Sequence, residues 1–320
     1  MLNRFVKLFI LMVVGSLLLV GCTRSAGVEG DDSQFVIGIS LLTDHPALND
    51  AKDGFIEELE NLGIKAEIKV QNAQGEIPNT IAIAEKFLGD DVDLIFAIAT
   101  PAAQSAKQVT DHIPIVFSAV TDPVESELVA SMEKPGGNIT GTSDLAQNMK
   151  DQLQMFKDID PNAKNIGIVF NTSEENSRIQ VGKAKEIAKD LGLEIIEVGV
   201  DIISNIPQAV DSIINRVDGF YTITDNMIAS SINIVANKAI EHNKITVGAE
   251  GSHVDGGILI AHGISYFDLG KQSARMAEKI LVDGLSPSDL PAEFANKTTK
   301  VVNPDTLEAL GLDKDLEVFK

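Results

Sequence analysis

The stretch VDLIFAIATPAAQSAKQVTDHIPIVFSAV, residues 92–120, decides the fold. Its two flanks, VDLIFAIA (92–99) and IPIVFSAV (113–120), are short, apolar and free of polar alternation, as strands buried on both faces are. Between them PAAQSAKQVT (101–110) opens on a proline and carries alanines at helical spacing, so a helix joins the two strands. Strand, helix, strand over so short a span is the unit of a parallel sheet covered by helices.

The same alternation extends on both sides. Upstream, FVIGISL (35–41) reads as a strand; Asp44 is placed to cap the next helix, Pro46 suits its first turn, and Leu48, Ala51, Phe55 and Leu59 form its apolar stripe before Gly63. KAEIKV (65–70) is a strand and IPNTIAIAEKFLG (77–89) a helix. Downstream, the Pro/Gly-rich KPGGN (134–138) leads through ITGTSD (139–144) to a second series. That series runs NIGIVFN (165–171), a helix over 174–191, LEIIEVGV (193–200), a helix over 204–215, VDGFYTIT (217–224), a helix over 227–242 and ITVGAE (245–250). GGILIAHGI (256–264), a helix over 266–284 and KTTKVVNPDTLEALG (297–311) follow without a sheet of their own.

The expected fold is therefore α/β, with two doubly wound parallel-sheet lobes joined by a three-crossing hinge. The expected boundaries are 35–144 plus 251–285 for the N-terminal lobe and 145–250 plus 286–320 for the C-terminal lobe.

The first residues read as an address. Arg4 and Lys7 precede an apolar run from Leu8 to Val20 that ends in Leu19-Val20-Gly21-Cys22. This resembles a bacterial lipobox: residues 1–21 are a lipoprotein signal peptide, and the sole cysteine, Cys22, is the lipidation site. Residues 22–34 are small, polar and Gly-containing, the composition of a flexible tether.

Composition narrows the function. Lys+Arg 26 against Asp+Glu 47 gives a net charge of −21, which excludes a phosphate-neutralising surface and hence nucleic acid. One cysteine excludes a disulfide framework and multi-cysteine metal sites, and the five histidines show no ligand spacing. Nucleophile-elbow, P-loop, dinucleotide and H-E-x-x-H motifs are all absent. No catalytic residue, cofactor or metal is expected, and the chain is not read as an enzyme.

Ligands of open parallel sheets sit beyond the carboxyl ends of the strands. Polar residues gather there: Ser40, Thr43, Asp44 and His45 after the first strand; Thr100; Ser118, Thr121 and Asp122; Asn171 to Ser177; Asp225 and Asn226. Any one of them could be a helix cap, but their convergence at equivalent ends of two lobes describes a small-molecule cleft. Phe96 and Phe117 sit inside strands, where core packing outweighs ligand stacking.

HPALNDAKDGF (45–55), NAQGE (72–76), DLIFAIATPAAQ (93–104), IPIVFSAVTDPV (113–124), PGGNITGTSD (135–144), Glu175-Asn176-Ser177, Thr224-Asp225-Asn226 and ISYFDLGKQSARMAEKIL (264–281) resemble ABC-transporter substrate-binding lipoproteins of the tryptophan/tyrosine type. Leu41 departs from that pattern, which has a polar residue after the first-strand serine. The resemblance implies a type I periplasmic-binding fold that closes on an amino acid, an aromatic one favoured, and delivers it to a permease and its ATPase. It implies a monomer held by its lipid on the outer face of the cytoplasmic membrane. The ligand-binding residues carried over are Ser40, Asp44, Thr100, Ser118, Thr121, Asn176, Ser177, Asp225 and Asn226. A zwitterion needs donors for its carboxylate and a carboxylate for its ammonium. Thr100, Ser118 and Thr121 suit the first task and Asp225 the second, with Asp122 the competing acid. A ligand sensor on the same scaffold, or a binder of a sugar or nucleoside, are the alternatives.

Overall fold

A computed structural model describes residues 35–145 and 147–320. The expected signal peptide, Cys22 and the tether lie outside the described residues.

The first lobe is a six-stranded sheet in the order β11-β5-β4-β3-β1-β2, formed by β1 (Phe35–Leu41), β2 (Ala66–Asn72), β3 (Leu94–Ile98), β4 (Ile115–Val120), β5 (Ile139–Ser143) and β11 (Glu293–Phe294). The second has the order β12-β10-β9-β8-β6-β7, from β6 (Asn165–Asn171), β7 (Glu194–Val200), β8 (Gly219–Thr222), β9 (Ile245–Gly248), β10 (Ile260–Ile264) and β12 (Thr298–Val302). All pairs are parallel except β10 with β12.

Five strands of each sheet share one winding, 2-1-3-4-5 in the first and 7-6-8-9-10 in the second. The central strands β3 and β4 are buried along their whole length, as continuous apolar runs require. Each sheet carries apolar packing on both faces.

The winding corrects the lobe boundaries expected from sequence. The strand within 256–264 does not return to the first lobe: β10 pairs with β9 and β12, as the counterpart of β5 in the second sheet. The chain crosses only after Ile264, when α10 (Tyr266–Leu281) packs on α1 (Pro46–Asn61) in the first lobe. The last crossing falls after Phe294 and not at residue 286, because β11 still pairs with β5. Sequence cannot assign a strand to a sheet when both sheets offer an equally apolar edge.

Two elements went unread. β5 lies in ITGTSD, which reads as a connector because Gly141 and three hydroxyl residues hide its strand character. Helix α4 (Met149–Ile159) buries Met149, Leu153, Phe156 and Ile159 as one stripe and leads into β6. The expected helix over 227–242 is two helices, α7 (Asn226–Ala229) and α8 (Ile232–Glu241), broken at Ser230-Ser231.

The packing of α1 on α10 rests on two glycines. A Cβ on Gly54 would stand 2.1 Å from the Phe267 carbonyl oxygen, and one on Gly270 would stand 2.0 Å from that of Ala51. The two backbones touch there, which only glycine permits.

Candidate functional site

The carboxyl ends of β1, β3, β4 and β5 face those of β6, β8 and β9 across the seam between lobes. The remaining helices at this seam are α2 (Ile77–Gly89), α3 (Thr100–Val109) and α5 (Glu175–Asp190). Hydrogen bonds span the seam. His45 Nε2 lies 3.3 Å from Asn226 Oδ1, and the Thr121 hydroxyl lies 3.3 Å from that of Thr224 and accepts from Gln180 Nε2 at 3.4 Å. At the rim Lys183 pairs with Asp122, and Gln104 donates to Glu175. The lobes are therefore in contact around a closed seam.

A cavity of about 510 Å³ opens at one side of this seam. Leu42, Ile77 and Pro78 from the first lobe and Ile202, Ile203 and Met227 from the second give it aliphatic walls, with Glu174 and Asn226 at its polar edge. Phe96 and Phe117 are fully buried core residues, and Phe96 stacks on Phe55 at 3.8 Å.

The residues expected at the site fall into three groups. Ser40, Thr100 and Asn176 are buried at strand ends or helix starts, and Ser40 Oγ, Thr100 Oγ1 and Asn176 Oδ1 have no hydrogen-bond partner among the described residues. Thr121 and Asn226 tie the lobes together. The rest serve the fold. Ser118 joins a hydroxyl chain through Thr142 to Ser273 inside the first lobe. Asp44 is exposed and accepts from the Asn49 amide; His45, not Asp44, is the N-cap position of α1.

Asp225 is fully buried, and donors occupy both its oxygens: the N–H of Asn171 at 2.6 Å, the Ser177 hydroxyl at 2.7 Å and the N–H of Ile228 at 2.9 Å. It is the side-chain cap of α7. Burial, and then the nearby charge of Glu174, push its carboxyl above the usual range. Asp225 and Ser177 thus satisfy each other within the second lobe.

The other buried acids among the described residues differ in how fully their oxygens are met. Glu174 accepts from the N–H groups of Asn226 and Met227 and from the side-chain amides of Asn171, Asn176 and Asn226. Glu250 Oε1 is 2.9 Å from His253 Nε2, and Oε2 accepts from Ser252. Burial would raise the Glu250 carboxyl, but His253, with help from His45 and Ser252, holds it below the usual range. Asp122 pairs with Lys183 and Glu58 with Arg275.

Asp144, at the end of β5, differs. Its Oδ2 accepts from the Tyr266 hydroxyl at 2.8 Å, while Oδ1 has no partner among the described residues. Burial, helped by the nearby charge of Glu250, pushes its carboxyl up to about 6 against the Tyr266 hydrogen bond and weaker help from the Thr121 hydroxyl and its own N–H. Sequence reasoning missed Asp144 because it missed β5; the available signal was an acid directly after a run of Ile and Thr.

Two alanines complete the seam. Ala99, at the end of β3, has φ 84° and ψ 153°, a region nearly reserved for glycine, and Ala119 in β4 has φ 55°. Ala99 bends the chain where α3 begins, and Ala119 lies one residue before the end of β4.

A family model described as ABC transporter substrate binding protein matches residues 36–320. This chain belongs to that family. It is 41% identical to the tyrosine-binding protein of Clostridioides difficile (strain R20291), over 98% of this chain and 93% of that one. Among solved structures, a Streptococcus pneumonia domain in complex with L-Trp is 29% identical with a TM-score of 0.85, over 89% of this chain and 97% of that one. The ligand-free, open form of a substrate-binding protein with adhesive properties from Clostridium difficile is 42% identical, yet its TM-score is 0.68, over 88% of this chain and 97% of that one. Identity and likeness of shape run in opposite order. The contacting lobes of this substrate-binding protein follow the tryptophan complex more nearly than the open form.

Proposed function

We propose that this substrate-binding protein captures an aromatic amino acid between its lobes and presents it to the permease and ATPase of an ABC importer. It works outside the cytoplasmic membrane as a monomer, held by a lipid on Cys22, and turns over no substrate. Asp144 receives the ligand ammonium, while Thr100, at the first turn of α3, and Ser40 serve its carboxylate. The observation that carries this reading is the free Oδ1 of Asp144, since every other buried acid already has its donors. A buried carboxylate with an open lone pair and no cation is costly until an ammonium arrives. The tyrosine-binding relative and the tryptophan complex support the aromatic choice.

Thermal-shift and calorimetric titration of residues 34–320 with amino acids, sugars and nucleosides tests the reading. Tyr or Trp should stabilise selectively, by about 2.7 kcal/mol at one hundred times Kd. Asp144→Asn should weaken binding at least ten-fold. A sugar or nucleoside as the only stabilising ligand, or full affinity in Asp144→Asn, overturns it.

A further inference from the structure

Among the described residues, Asp144 Oδ1 and a ring nitrogen of His45 are buried acceptors left open at the ends of the first sheet, beside the hydroxyls of Ser40 and Thr100. The state of the His45 ring follows from a chain of hydrogen bonds that begins at Glu174. That carboxylate can only accept, and it takes the side-chain amide Nδ2 of Asn226 as well as its backbone N–H. Asn226 must therefore turn Oδ1 away, and Oδ1 faces His45 Nε2 at 3.3 Å. Only Nε2–H satisfies that oxygen, so the proton of a neutral ring sits on Nε2 and Nδ1 keeps its lone pair. His45 is 5% exposed, and Nδ1 has no partner among the described residues. Burial, the largest influence, holds the ring below its usual range although Glu250, Asn226 and Glu174 act to raise it.

The strands that lead to these two acceptors are not neighbours. Asp144 follows β5 and His45 follows β1, with β4 and β3 between them in the sheet. Three strand spacings of about 4.8 Å put the strand ends roughly 14 Å apart. An ammonium bound at Asp144 leaves His45 for a second donor at the far end of the ligand.

We propose that His45 is a specificity residue, whose Nδ1 accepts a hydrogen bond from the ligand side chain, so that the protein selects a phenol O–H or indole N–H over an unsubstituted phenyl ring. This deepens the aromatic amino-acid reading and rests on it. The length fits: tyrosine and tryptophan carry a donor across the ring from the ammonium, and phenylalanine carries none. A phenylalanine in the closed cleft would leave Nδ1 buried and unpaired, the situation that gives polar sites their discrimination.

The test is calorimetric titration of the protein with L-Tyr, L-Trp and L-Phe. The wild type should bind Tyr, Trp or both at least ten-fold more tightly than Phe. His45→Leu should abolish that preference, weakening the favoured ligand at least ten-fold more than Phe, since loss of the seam bond to Asn226 falls on all three ligands alike. His45 makes no side-chain cap bond to α1, so the substitution removes no helix cap. Should His45→Leu fail to fold, the wild-type ranking decides alone. Phe bound within three-fold of both Tyr and Trp overturns the proposal, as does an equal loss for all three ligands in His45→Leu. If those results come with a ten-fold loss of Tyr or Trp in Asp144→Asn, the amino-acid site stands and only the role of His45 falls. If no aromatic amino acid binds, both fall.

Discussion

At Ala99 the backbone holds a conformation that costs an alanine about 1–3 kcal/mol. It lies where β3 turns into α3, and it sets the direction of the Thr100 side chain at the seam. Ala99→Gly should relieve part of that strain and raise the melting temperature of the ligand-free protein, read by calorimetry; a lower melting temperature would show that the alanine methyl contributes more by packing than it costs by strain. The residues also show what sequence could and could not reveal. Ser40, Thr100 and Asn176 stand out in the sequence as polar side chains at or just beyond apolar strands, and each keeps an unpartnered buried polar atom among the described residues. Asp225 was legible as a strand-end acid but not in its role, since its donors come from Asn171, Ser177 and Ile228, and proximity to Ser177 or Asn171 is invisible before folding. The open Nδ1 of His45 depends on an amide orientation fixed by a third residue, so no local pattern carries it.

Among elements, the contact between α1 and α10 has the least slack. Gly270→Ala would place a methyl 2.0 Å from the Ala51 carbonyl oxygen, and backbone cannot yield as a side chain can. We expect a loss of about 2–4 kcal/mol in denaturant unfolding, the scale of an overpacked core, whereas Gly284→Ala, beyond the end of α10 with open space around it, should lose less. Strands β1, β3, β4 and β6 were legible because their burial makes them uniformly apolar. Strand β5 was not, because its Thr140, Thr142 and Ser143 are buried through hydrogen bonds to Leu290, Ser273 and Thr121 that come from elsewhere in the lobe. Helix α4 carries a readable stripe in Met149, Leu153, Phe156 and Ile159.

For the whole molecule, pH acts on stability and on ligand in opposite directions. The raised carboxyls of Asp144 and Asp225 keep protons in the folded state that the unfolded chain has released. Where the folded state binds more protons, stability falls as pH rises. That cost grows from the ordinary carboxyl range up to about pH 7, while His45, lowered by burial, acts in the opposite sense until the unfolded ring is neutral. Asp144→Asn should therefore flatten the fall in melting temperature of the ligand-free protein between pH 4 and 6, read by calorimetry. Ligand affinity runs the other way, because an ammonium needs Asp144 ionised: it should weaken as pH drops through about 6, by up to ten-fold per unit. Parallel slopes for stability and affinity, measured on one preparation, would contradict this account.

The late arrival of α10 has a temporal consequence. Helix α1 is made early, yet the helix against which it packs begins at Tyr266, more than two hundred residues downstream of Asn61. At roughly 5–20 residues per second, a growing chain waits on the order of 10–40 s for that partner. Throughout that interval Leu48, Ala51 and Phe55 lack their covering helix, and the first lobe, although first in the chain, stays incomplete until most of the second has been made. The second sheet, whose five parallel strands β6 to β10 run unbroken in sequence, can form most of its pairings before the first is complete.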